Sequence, residues 1–151
     1  MIGIFRQKNP GNALILLVYA LVLKFSLFLH PVAPVLHPED NYLYRVIIKG
    51  LDSVFGHTAI VYAILAWLII CAQALLFNHI CNHNKLLPKS NFLPGMSYLL
   101  ITSLLPDWGH FSAPLLVNSI MIWIWYCMID LYNSHRPGAS IFSIGIWTGI
   151  V

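Results

Sequence analysis

The sequence predicts an all-α fold: a polytopic transmembrane helix bundle with about five spans, and one interfacial amphipathic helix in the first outer loop. Two observations predict it. Of the 151 residues, 59% are hydrophobic and 9% are charged, against about 25% charged in an average soluble domain. A soluble core cannot absorb that excess of apolar side chains, whereas a bilayer can. The apolar residues also fall into runs separated by short polar turns, at about 12–29, 57–77, 92–105, 113–131 and 139–151.

The lead-in MIGIFRQKNPGN is positively charged, and Asn12 can cap the helix that follows. The first apolar run is about 27 Å long as a helix, near the thickness of the hydrocarbon layer. No A-x-A-like site follows it, so it reads as a retained span and not as a cleaved signal peptide. Lys24 lies near its far end and is expected to snorkel to the interface. Next comes the longest polar interruption in this half, HPVAPVLHPEDNYLYRVIIKGLDSVFG, residues 30–56. Pro31, Pro34 and Pro38 forbid a helix continuing from the first span. From Glu39 the pattern changes: Tyr42 with Val46 and Leu43 with Ile47 fall at i, i+4 spacing, while Arg45 and Lys49 share another face. This predicts a short amphipathic helix on the membrane surface, ended by Gly50.

After the second run, NHICNHNKLLPKSN is a polar turn. The third run is short for a crossing and is stopped by Pro106-Asp107-Trp108-Gly109. The fourth has Pro114 near its first turn, where proline is tolerated. YNSHRPG is a further turn, and a fifth run is starting when the sequence stops. A chain rarely ends in mid-span, so the 151 residues are expected to be the N-terminal part of a longer protein, a single transmembrane domain that continues.

The formal net charge is +3, and the basic residues form no dense patch, so nucleic acid is not an expected partner. Membrane lipid is, with membrane-protein partners as a further expectation. Arg6, Lys8, Lys85, Lys89 and Arg136 fall on one side of the predicted topology, and Arg45 and Lys49 on the other. That bias places the N-terminus in the cytoplasm and the first loop outside, periplasmic in a Gram-negative inner membrane. Cys71, Cys81 and Cys127 are odd in number and two lie in spans, so no disulfide framework is implied.

The adjacent acids Glu39 and Asp40 are the candidate catalytic residues. Such a pair at a membrane surface can coordinate a divalent cation or supply a general base. It equally suits the first turn of a helix, where the dipole favours acids. Arg45 and Lys49, just beyond, can hold the phosphate of a polyprenyl-phosphate carrier, or anchor the helix among headgroups. Asp107 is either a turn residue or a partner for Arg45 or Lys49, worth about 0.5–1 kcal/mol as an exposed ion pair.

His79 and His83 share a helical face, but zinc wants three or four ligands, so no metal site is assigned. Haem would need histidines deep in facing spans, and His57, His79 and His110 sit at span ends or turns. Asn78, Asn82, Asn84 and Asn91 cluster near one turn and are read as cross-links between helices. Trp108, Trp123, Trp125 and Trp147 fall at aromatic-belt positions.

Two resemblances extend this reading. The strings FRQKNPGN, NHNKLLPKSNFLP and YLLITSLLPDW-x3-SAPLL resemble an uncharacterised family of Bacteroidetes polytopic inner-membrane proteins, along the whole chain to SIFSIGIWTGI. The order of elements is similar to the start of the GT-C membrane glycosyltransferases: a first span, an outer loop with an acid and interfacial helices, a second span and short later turns. That resemblance implies transfer of a sugar from a polyprenyl-phosphate donor at the outer leaflet, with Asp40 or Glu39 at the acidic position. The alternative is a non-enzymatic scaffold or accessory subunit of an envelope complex, which needs no acidic outer site. A cysteine placed at Ser53 is expected to react with an impermeant thiol reagent added from the outside. Labelling from the cytoplasmic side would reverse the topology.

Overall fold

The computed structural model describes residues 10–37, 41–84, 91–105, 110–133 and 137–150. Among these the chain is all-helical, without strands. The helices are α1 (Pro10–Leu23), α2 (Ser26–Leu29), α3 (Tyr42–Phe55), α4 (Ala59–His83), α5 (Leu93–Ser103), α6 (Ala113–Asn133) and α7 (Pro137–Ile150). The central helix is α4, which packs against α1, α2, α5 and α6, and α7 lies against α6.

Helices α4, with 25 residues, and α6, over Ala113–Tyr132, are long and apolar enough to cross a membrane; α1 is apolar but shorter. Within their most apolar windows these two helices are 39% and 22% buried. Much of their apolar surface therefore faces outward. The same holds for α1, where Leu14, Val18 and Val22 point out while Leu16 and Ala20 are buried. The outward set falls at i, i+4, i+8 and the buried pair at i, i+4, each the spacing of one helix face.

The first run is not one helix. It breaks at Lys24-Phe25, and a single turn, α2, follows. Lys24 does not snorkel. It is 4% exposed, and its Nζ donates to the Thr102 carbonyl at 3.2 Å. The reason lies in α5. The last carbonyls of a helix have no intrahelical donor, and a cation is favoured at that negative end.

Helix α3 also departs from expectation. Asn41 caps it, its side chain accepting from the Leu43 N–H at 2.9 Å. The helix runs through Gly50 and ends at Gly56, whose φ of +68° suits glycine. Tyr44 and Ile48 are buried, with Ile47 and Leu51 packed beside them. Tyr42 is 80% exposed and Val46 is exposed too, so the embedded face is Tyr44, Ile47, Ile48 and Leu51. Gly50 cannot stop the helix because Leu51, one residue on, belongs to that buried stripe.

A close helix contact lies at Gly95 on α5. A Cβ there would stand 2.7 Å and 2.8 Å from the two terminal carbons of Leu16 and 3.2 Å from the Ala74 carbonyl oxygen. Small residues permit this approach of three helices. Gly95→Ala is expected to destabilise the fold by about 1–3 kcal/mol through overpacking. Leu16→Val in the same chain, which removes the colliding carbons, should recover part of it. Thermal unfolding in detergent reads both effects, and an unchanged Gly95→Ala melt would contradict this packing.

Candidate functional site

Connectivity gathers the end of α1, the whole of α3, the start of α4, the end of α5 and the start of α6 at one end of the bundle. Two contacts seal the arrangement. Lys24 joins the α1–α2 break to α5, and the Tyr44 hydroxyl donates to the Phe111 carbonyl at 3.2 Å. The Tyr44 and Phe111 rings also stack, 6.0 Å apart.

This end holds two adjoining cavities. One, about 260 Å3, is walled by Ser26, Leu27, His30, Val32, Ala63, His110 and Phe111. The other, about 310 Å3, shares Val32, His110 and Phe111 and extends along Ala33, Pro34 and Val35 to His37, Tyr44 and Pro114. Pro31 and Pro34 stop the helix, and the extended chain that results is what walls this space. The cleft is amphipathic: aliphatic and aromatic walls carry a few imidazoles.

Beside it, α3 is fastened to α4 by three side chains. The Tyr62 hydroxyl donates to Asp52 Oδ1, and His57 Nδ1 lies 3.0 Å from the same oxygen. Tyr62 is 1% exposed and tilts against Phe111 at 5.5 Å. The tyrosine hydrogen bond, followed by the hydrogen bond and positive charge of His57, holds the Asp52 carboxyl below its usual acidity range despite some desolvation. Sequence reading passed over this cluster because five-residue spacings across a helix break form no motif.

Of the expected site residues, Arg45 is half-buried and Lys49 exposed on α3, and neither lines the cavities. Glu39, Asp40 and Asp107 lie outside the described residues, and so does the proposed pairing of Asp107 with Arg45 or Lys49. His79 and His83 stack, 5.7 Å apart. Among the described residues no three His, Cys, Asp or Glu side chains group as a metal site.

The rest of the polar chemistry ties helices together. Gln73, 4% exposed, donates to the Leu115 carbonyl at 2.9 Å and to Ser119 Oγ at 2.6 Å, and accepts from the Tyr98 hydroxyl at 2.8 Å. The Asn118 amide donates to Tyr98 in turn, so α4, α5 and α6 share one network. At the opposite end, Asn78 accepts from the Gly95 N–H at 3.2 Å. Asn82 donates to the Asn91 carbonyl at 2.8 Å and accepts the Asn91 N–H at 3.2 Å. The Asn78 and Asn82 side chains cross-link as expected, whereas the Asn91 side chain accepts from the Leu93 N–H at the start of α5 and Asn84 bonds to Ile80 in its own helix.

No family model matches the chain, and no curated protein or solved structure matches it. What the fold defines is a class: an all-helical bundle with an amphipathic cleft at one end and an apolar core crossed by a few polar side chains.

The Asp52 cluster gives a pH prediction with a definite sign. A carboxyl held at lowered pKa stabilises the fold above its unfolded value of about 4, and that contribution is lost as pH falls through the lowered folded value. Melts of the wild-type protein are expected to drop across that acid range. Asp52→Asn and Tyr62→Phe should flatten the drop, and an unaltered profile in both would remove Asp52 from this role.

Proposed function

We propose that the chain forms a multi-pass protein of the bacterial inner membrane, N-terminus in the cytoplasm. We propose further that it acts at the outer leaflet on a polyprenyl-phosphate-linked sugar. The cleft carries this reading. It is enclosed by the loop that the Lys/Arg bias places outside, and its walls match a lipid with one polar end. Outward apolar faces on α1, α4 and α6, with the few buried polar side chains paired inside, support the membrane placement. The order of elements shared with the GT-C transferases adds to it. Asp40, with Glu39, supplies the base or binds a divalent cation, while Arg45 and Lys49 engage headgroups nearby.

The scaffold reading has one observation in its favour. Asp52, the carboxylate of this end among the described residues, turns to Tyr62 and His57 and not to the cleft. The two readings separate in reconstituted vesicles given a polyprenyl-phosphate sugar and an acceptor. The enzyme reading expects transfer, reduced about 100-fold or more by Asp40→Asn, the scale of a lost general base. Transfer that survives both Asp40→Asn and Glu39→Gln would remove the acids from the mechanism. No transfer by the wild-type chain would leave the scaffold.

A further inference from the structure

We infer that His30 and His110 form the headgroup subsite of the cleft, and that its ligand is a single-chain isoprenoid phosphate. The inference rests on the proposed action on a lipid phosphate, and moves the phosphate grip from Arg45 and Lys49 to the two histidines. His30 follows α2 and His110 precedes α6, 80 positions apart by number, yet both line the cavity of about 260 Å3. Among the described residues no hydrogen bond or ion pair engages either imidazole side chain. An imidazole offers an N–H donor in either tautomer, and two imidazoles lining one space suit a phosphate. No carboxylate among the described residues lines either cavity to repel an anion.

The tail follows from the other walls. Leu27, Ala63 and Phe111 close the first cavity, and the second leads away along Val32 and Val35. Cavities of about 260 and 310 Å3 together reach the size range of small-molecule sites, about 300–1,000 Å3. Val32 and Val35 are themselves strongly exposed, as a passage open to the tail of a lipid requires.

The test is direct binding to the detergent-purified chain, with labelled farnesyl phosphate as probe and farnesol and inorganic phosphate as competitors. Farnesyl phosphate is expected to bind at least about 10-fold tighter than farnesol. His30→Ala and His110→Ala should each weaken it about 10-fold, the scale of one hydrogen bond to a charged group. Leu14→Ala, on the outward face of α1 and away from both cavities, should leave it unchanged. His110→Asn, which keeps a donor, should weaken it less and serves if His110→Ala fails to fold. Competition by inorganic phosphate as strong as by farnesyl phosphate would overturn the lipid ligand in favour of a free anion. Equal binding by the wild-type chain and both histidine variants would overturn the subsite while leaving the transferase reading intact. Histidine-dependent binding without any sugar transfer would sustain the subsite and remove the transferase.

Discussion

A helix that ends inside a bundle leaves carbonyl oxygens without donors of their own. Helix α5 ends at Ser103, and Lys24 supplies the donor by reaching the Thr102 carbonyl from a buried position. Much of the cleft end depends on this bond. Lys24 sits in the break between α1 and α2. The break sets α2 and the proline-rich segment beyond it against α4. A buried cation with a carbonyl partner is no large source of stability, because its desolvation offsets the attraction. Removing the lysine would still leave a buried acceptor unsatisfied, at about 1–3 kcal/mol. The contact acts chiefly as a register pin between α1 and α5.

The cleft inherits its shape from that pin and from the fastening of α3. Tyr44 joins α3 to the segment ahead of α6, and Asp52 joins it to α4. Phe111 stands between the two, stacked on Tyr44 and tilted against Tyr62. Polar groups thus hold the outside of the wall, while its inner surface stays apolar apart from the histidines and serines. On the proposed reading, that division lets an isoprenoid tail and its phosphate occupy different parts of one cleft.

Elsewhere the bundle adds close approach and internal polar pairing to an apolar core. Gly95 lets α5 touch α1 and α4, and the Gln73 network and the asparagines satisfy one another across helices. In hydrocarbon such bonds average about 0.6 kcal/mol each in measured cases. Their larger role is to pair buried polar groups that would otherwise stay unsatisfied. A third cavity of about 330 Å3 between α4, α6 and α7 touches the network at Gln73 and Ser119 but is otherwise apolar.

The helical class was legible in composition and in apolar runs, since no other element satisfies a backbone among so many apolar side chains. The prolines at 31 and 34 marked where helix stops beyond α2, and the asparagines near one turn announced cross-links that the side chains of Asn78 and Asn82 make. Other features were decided by tertiary structure alone. Lys24 looked like a snorkelling residue because nothing local reveals that an acceptor 78 positions away needs its ammonium. Gly50 looked like a helix stop because propensity does not register that Leu51 is wanted in the core. Of the apolar pairs Tyr42 with Val46 and Leu43 with Ile47, the first is exposed, and the buried face of α3 runs through Tyr44, Ile47 and Ile48, with Tyr44 set on Phe111. The meeting of His30 and His110, and of Asp52 with Tyr62, depends on where distant helices end, and spacing along a chain carries no record of that.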